Sequence, residues 1–562
     1  MPSPPSASAT DSLIVLDRRD ELHHFLDSEE DDEFPDEFVF CGIPEEKIEV
    51  TVEGGLRRKE GDEKEIDGEE DLVLCSCPSF MDYDKCYDSH CKMVHFKPSF
   101  WHWEDVPTAQ EQIVYRQGTM LAVVLILSAI LFFAYRHYSS QRDYWKKRGI
   151  SGPTPEFLIG NLRRIWLSDQ PKSIAISELS KKYGKVFGIH EGRTPVLVVS
   201  DLEMTNEILV KKFDHFHARK SESGGANETT KNMLAEASGA HWKRLRALAT
   251  YAFTTKAMKQ ILGTVENSAS TMVDEIERKA SKGEINMHRM FQEYSLDIIC
   301  RIALGLHDVK MFDNKYAAVC RSVFGHTYTP LDVLGQVHPL LRRVVEKFNL
   351  YRGDDAAVAF QGLAVDIATA VMRRKAERES GADATGDFID MFLDSEVEGK
   401  GGDDVASRRL VFEEIIAMCL VMLLAGFDTT SNSLSYVTYF LANHPEVQSK
   451  CRQEIEDVCH GDTIDYDSLA DLKYTEAVVK ESLRHYPIAS FVVNRICSSP
   501  CTIGGHRFEE GDHVLTDTWT LHKDTDIWGK DADEFRPERW FEESSRPRVA
   551  FQSFGEGPRM SP

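Results

Sequence analysis

The sequence predicts a mainly α fold with a small β subdomain, preceded by a single amino-terminal membrane anchor. Three observations predict it. From Trp145 onward, helical runs alternate with short Val/Ile-rich strands such as Val196-Leu-Val-Val199, the pattern of one large mixed domain. Gly118 to Tyr135 is an uncharged stretch of 18 residues, the lower end of what crosses a bilayer. The charge is lopsided: residues 1–117 hold 30 Asp/Glu against 11 Lys/Arg, −19 of the chain's −26, which leaves −7 for the rest.

Residues 1–74 carry acidic runs such as Asp27-Ser-Glu-Glu-Asp-Asp-Glu33 with few aromatics nearby, a composition expected to stay disordered and solvated. Residues 75–100 contain Cys77-x8-Cys86-x4-Cys91-x3-His95, with Cys75 close by. Three thiolates and an imidazole make a tetrahedral zinc set, and the spacing resembles a three-cysteine, one-histidine zinc finger. The acidic surroundings oppose nucleic-acid binding. Residues 118–135 form the anchor. Arg136, Arg142, Lys146, Lys147 and Arg148 follow it, whereas only Arg116 lies close before it. Positive charge stays cytoplasmic, so the domain from 145 to 562 is expected to face the cytosol and the finger to face an oxidising lumen, where cysteines pair as disulfides. The flank lacks a small-residue cleavage site. Gly149-Ile-Ser-Gly152-Pro153-Thr-Pro155 then makes a stiff hinge.

Four motifs carry the chemistry of the domain. Ala425-Gly-Phe-Asp428-Thr429-Thr430 lies in a helical stretch from Leu410 to Asn443 that stops before Pro445. At 1.5 Å per residue that helix is on the order of 50 Å long, and its apolar run of 13 residues, Ile415–Phe427, marks it as buried core. Glu481-Ser-Leu-Arg484 puts opposite charges on one helix face at i,i+3. Phe535-Arg-Pro-Glu-Arg539-Trp540 follows 51 residues after Arg484. The chain closes on Phe551-Gln-Ser-Phe554-Gly-Glu-Gly-Pro-Arg559-Met-Ser561-Pro562.

In this order and at these separations the motifs resemble the cytochrome P450 family, over roughly Met120 to Arg559. The clan resembled includes the microsomal drug- and steroid-oxidising members. The last motif matches the haem loop Phe-x-x-Phe-Gly-x-Gly-x-Arg-x-Cys except that Ser561 stands at the cysteine. The resemblance implies the family fold and haem b. It implies that Asp428 and Thr429 relay protons, that Glu481, Arg484 and Arg539 form a buried ionic triad, and that Phe554 and Arg559 belong to the haem loop. His241-Trp242-Lys-Arg-Leu-Arg246 matches the helix that holds the haem propionates, with Arg219 and Arg495 as further contacts. A planar guanidinium suits that work because it pairs carboxylates bidentately.

The implied function is haem-dependent monooxygenation of small apolar organic substrates with O2 and electrons from an NADPH-dependent reductase, at the endoplasmic reticulum membrane. Two features depart from it. The haem axial cysteine is absent and the resemblance stops short of the family's carboxyl-terminal ligand helix, so the chain as written is expected to be inactive. Met120 opens what resembles an ordinary family amino terminus, which makes residues 1–119 an upstream segment joined to it. The alternatives are a haem- or ligand-binding pseudoenzyme, and a zinc-finger RNA-binding protein with a membrane anchor. The stretches Lys220–Gly239 and Arg321–Val345, expected as pocket-shaping loops, carry no substrate signature.

Overall fold

Strand and turn chemistry are local, and they show first in the amino-terminal unit, Met1–Leu125. A computed structural model describes residues 48–50, 56–58 and 109–561, apart from 221–227, 307–308, 326–328, 338, 353–354, 396–408, 460–463 and 543–545. Within the acidic stretch expected to be disordered, β1 (Ile48–Val50) pairs antiparallel with β2 (Leu56–Arg58), Ile48 opposite Arg58. Ile and Val favour strands, and Gly54-Gly55 between them is turn sequence. Cys75, Cys77, Cys86, Cys91 and His95 lie outside the described residues, among which no His/Cys/Asp/Glu group could hold a metal.

Helix α1 (Ala109–Arg142) covers the expected anchor, and Leu121, Leu125, Phe132 and Phe133 on it are exposed. Among the described residues no helix is long and apolar enough to cross a membrane.

The second unit, Ile126–Pro562, holds the helical domain. Helix α2 (Lys172–Tyr183) leads into the hairpin of β3 (Val186–Glu191) and β4 (Thr194–Val199). Next come α3 (Gly239–Thr250), α4 (Thr255–Ala280), α5 (Met287–Leu304) and α6 (Lys315–Phe324). Two further helices, α7 (Pro330–Val337) and α8 (Pro339–Tyr351), occupy most of the stretch expected as loop. Their apolar residues recur at helical spacing (Leu340, Leu341, Val344, Val345, Phe348), the period that the loop reading missed. Helix α9 (Asp355–Glu379) precedes α10 (Phe412–Asn443), α11 (Pro445–Val458) and α12 (Lys473–His485). The bounds of α10 agree with the sequence within two residues.

The chain then returns to the sheet through β5 (Asn494–Ile496), the hairpin β6 (Cys501–Ile503) and β7 (His506–Phe508), and β8 (His513–Thr516). The four-stranded sheet runs β3-β4-β8-β5, parallel only between β4 and β8, with Leu197 opposite Val514. Helix α13 (Thr518–His522) follows directly.

Apolar burial centres on α10, where Ala417, Met418, Cys419, Leu420 and Leu423 are each 0 % exposed. Helix α5 packs closely along it. A Cβ at Gly426 would lie 2.9 Å from Ile299 Cδ1, so glycine is what permits that approach. Polar ties hold the ends. Val411 has no side-chain acceptor, and the Glu414 carboxylate receives the Val411 N–H at 3.0 Å, closing the first turn of α10. Glu414 also accepts from His241 at 3.0 Å and from Arg244, both on α3. Beneath the sheet, the buried Glu191 pairs with Lys172 of α2 at 3.2 Å and with Lys220. Replacing Leu423 with Ala is expected to lower the unfolding free energy by about 2–5 kcal/mol, because the site cannot collapse around the lost methyls. The urea midpoint reads this, and a loss below about 1 kcal/mol would show that α10 is not the core helix.

Candidate active site

The middle of α10 breaks the burial pattern of its own helix. Leu423 and Phe427 are fully buried, yet Ala425 and Thr430 are exposed and Thr429 is half-exposed. Helical residues run without a gap here, from Phe412 to Asn443. The polar ones bond back along the helix. The Thr429 hydroxyl donates to the Ala425 carbonyl, Ser433 Oγ to Thr429 O at 2.7 Å, and Asn432 Nδ2 to Asp428 O at 2.7 Å. Asn432 Nδ2 also reaches Asp428 Oδ2 at 2.7 Å, while Gln292 Nε2 of α5 donates to Oδ1 at 3.3 Å. Two neutral amides therefore hold the Asp428 carboxylate beside Thr429.

Glu481, Arg484 and Arg539 come together as their motifs suggested, each 0 % exposed. Arg484 is bidentate to Glu481 at 3.0 and 2.9 Å, and Arg539 Nε donates to Oε1 at 2.8 Å. Trp540 Nε1 and the Arg536 N–H each add a bond at 3.1 Å. The remaining guanidinium donors go to main-chain carbonyls: Arg484 to His522 O at 2.7 Å, and Arg539 to Trp528 O and Asp531 O at 3.0 and 2.9 Å. Burial alone would raise the Glu481 carboxyl, but bonds from His485 and Arg484 and the charges of Arg484 and Arg539 outweigh it. The carboxyl is held well below its ordinary range.

The loop Phe551–Ser561 is built on two left-handed glycines, Gly555 at φ 77° and Gly557 at φ 73°. A Cβ at Gly557 would fall 2.1 Å from Leu209 O, so no side chain fits there. The Ser561 N–H donates to Phe554 O at 2.8 Å, closing the loop. Phe554 is 54 % exposed, unusual for an aromatic set amid buried neighbours.

Arg559 lies beside it with its guanidinium 4.6 Å from the Trp242 ring and its Nη atoms on Ala235 O and Ala237 O. Arg219 Nη2 donates to Arg559 O at 3.1 Å, and Arg495 Nη1 donates to Asn494 O at 2.7 Å. The other donors differ. Arg219 Nε, Arg559 Nε, Arg495 Nε and Arg495 Nη2 are buried without a hydrogen-bond partner among the described residues. Burial first, and then the neighbouring guanidiniums, push Arg559 down to about 9 and Arg495 well below its ordinary value. Arg219 falls to about 10 through burial, and Arg246 is lowered by burial alone. Glu236 is the carboxylate that offsets Arg219 and Arg559. Arg219, Arg495 and Arg559 thus form a cluster with little counter-charge, with Trp242 against Arg559 and Arg246 acting electrostatically on Arg219.

Several residues here have no motif of their own. Gln292, Glu236 and Glu414 act through partners distant in the chain. Only Asn432, four residues after Asp428 on the same helix face, was accessible from spacing.

The domain is mainly helical and brings together a buried ionic triad, a glycine-shaped loop and a cluster of arginines. The sequence profile of the cytochrome P450 family matches residues 150–560. Cytochrome P450 cyp-13B1 of Caenorhabditis elegans is 38 % identical over 463 residues, covering 79 % of this chain and 89 % of that one. Cytochrome P450 CYP13A8 of the same organism is 36 % identical over 455 residues, covering 78 % and 88 %. The chain belongs to the cytochrome P450 family, and with it to the haem-dependent monooxygenases.

Glu481→Gln is expected to cost about 3–5 kcal/mol of stability, because two buried guanidiniums lose their counter-charge. A folded carboxyl held low stabilises fully above its ordinary 4.5 and loses that stabilisation as pH falls below it. Urea titrations between pH 7 and pH 3 should therefore show a steeper acid loss in the parent than in Glu481→Gln, and parallel curves would contradict this.

Proposed function

We propose that this chain binds haem between the exposed face of α10 at Ala425–Thr429 and the loop Phe551–Ser561. In this reading Arg219, Arg246, Arg495, Arg559 and Trp242 hold the propionates. The supporting observation is the set of unpartnered, buried guanidinium N–H groups, since a buried cation persists only where an anion pairs with it. A dicarboxylate of haem's size supplies that anion, and Phe554 supplies an apolar surface to its ring.

When bound, haem supplies the oxygen and electron chemistry. The chain's own residues bind, orient and move protons. Thr429 Oγ1 is the hydroxyl placed on the open face. Asp428 stands next to it; once released from Gln292 and Asn432 and protonated from solvent, its carboxylic acid would pass that proton to the hydroxyl. The family generally draws electrons from a redox partner and oxidises organic substrates; an NADPH-dependent reductase and a small apolar substrate are the forms expected here. Exposed Leu121, Leu125, Phe132 and Phe133 support attachment of α1 to the endoplasmic reticulum membrane.

Residue 561 limits the activity. The family's ligand is a thiolate whose electron donation drives O–O cleavage, and the neutral hydroxyl of Ser561 donates little. Haem binding without monooxygenase turnover is therefore the reading for this sequence.

Titration of the full chain with haemin should show one equivalent bound. Arg495→Leu should weaken binding roughly tenfold or more, the loss of a charge-assisted hydrogen bond. After reduction and addition of CO, the Soret band should lack the red shift of a thiolate ligand. A thiolate-type band would overturn the assignment at Ser561, and no haemin binding at all would overturn the site.

A further inference from the structure

Helix α13 sits between the ionic triad and the loop, and its last residue, His522, is 0 % exposed. Both ring nitrogens are used. The Gln552 main-chain N–H reaches Nε2 at 2.8 Å, and Nδ1 lies 3.2 Å from the Arg484 carbonyl. A main-chain N–H can only donate and a carbonyl can only accept, so Nε2 is the acceptor and Nδ1 carries the proton. One neutral tautomer satisfies both contacts. Burial and the Arg484 charge favour the neutral ring, pushing His522 down to about 3.

The geometry around the ring keeps it in place. Phe551 stacks on it at 5.4 Å and 14°, and Arg484 Nη1 donates to its carbonyl at 2.7 Å. Beyond Gln552 the bonding continues into the loop. Gly555 N–H donates to Gln552 O at 2.9 Å, and Ser561 N–H to Phe554 O at 2.8 Å. The path thus runs from Glu481 through Arg484, the His522 ring and Gln552 to residue 561. Ser553 Oγ, donating to Leu483 O at 3.0 Å, gives a second tie between α12 and the loop.

We infer that His522 is a positioning residue: its ring is the brace that sets the start of the ligand loop against the triad helix. It touches no reacting atom and acts through Gln552. For its haem readout this rests on the function proposed above, whereas its geometric readouts do not.

Two substitutions separate bracing from filling space. In His522→Gln the side-chain oxygen can still accept from Gln552 N–H. In His522→Asn the amide can still donate to Arg484 O but falls short of the loop. Amide exchange of the segment 551–559, followed by mass spectrometry on the full chain, should accelerate roughly tenfold in His522→Asn, the loss of one buried hydrogen bond. It should stay near the parent rate in His522→Gln, and haemin affinity should follow the same order. Equal behaviour of the two variants, or an unchanged His522→Asn, would overturn the brace. If neither variant folds, nitrogen NMR of the unaltered chain decides: a proton on Nδ1 and a bare Nε2 supports the inference, and a proton on Nε2 sinks it. A parent chain that binds no haemin while showing the expected exchange and tautomer would fail the proposed function and leave the brace standing.

Discussion

One carboxylate organises the carboxyl-terminal half of the domain. Glu481 lies fully buried between Arg484 and Arg539, and the segment from His522 to Trp540 is bonded to the three. Desolvating these ions costs several kcal/mol each unless pairing is complete. Here it is complete, because the donors left over after Glu481 are taken by carbonyls of the segment from His522 to Glu534. That requirement constrains the chain. Between His522 and Trp540 the chain forms only two short helical turns, Thr525–Trp528 and Pro537–Trp540, and these carbonyls tie the segment to the triad.

The second arginine group obeys the opposite balance. Arg495 and Arg559 are buried and Arg219 is partly so, yet several of their N–H groups are buried and face no acceptor among the described residues. A fold could hold such a group only at a cost of order kcal/mol per unpaired donor. The triad, electrostatically closed, serves architecture. The second group is electrostatically open, and this contrast within one domain is why the first is read as scaffold and the second as the proposed site.

Sequence reasoning reached what is written locally or in fixed spacing. The ends of α10 followed from apolar periodicity and Pro445, and the Glu481–Arg484 face from an i,i+3 pair. Trp242 and Arg246 share a helix as their spacing required, and Arg559 does lie over the Trp242 ring. What it missed depends on contacts distant in the chain. Nothing near Glu191 announces Lys172 and Lys220, nothing near Gln552 announces His522, and Glu236 is one acid among many. The α7–α8 segment, expected as loop, carries a clear helical period of apolar residues and is helical.

Helix α3 shows how the two sides of the site are joined. Its Trp242 lies under Arg559 on the loop side, while its neighbours His241 and Arg244 grip Glu414 at the first turn of α10. Residues 241, 242, 244 and 246 point to different surroundings because a helix turns 100° per residue, so one short element contacts both walls. Glu414 is well buried and is held below its ordinary range against burial by Arg244, the Val411 N–H and His241. A displacement of α3 therefore cannot be confined to the arginine pocket. It pulls on the amino terminus of the helix that carries Asp428 and Thr429, and a tightly packed core transmits such a shift rather than absorbing it.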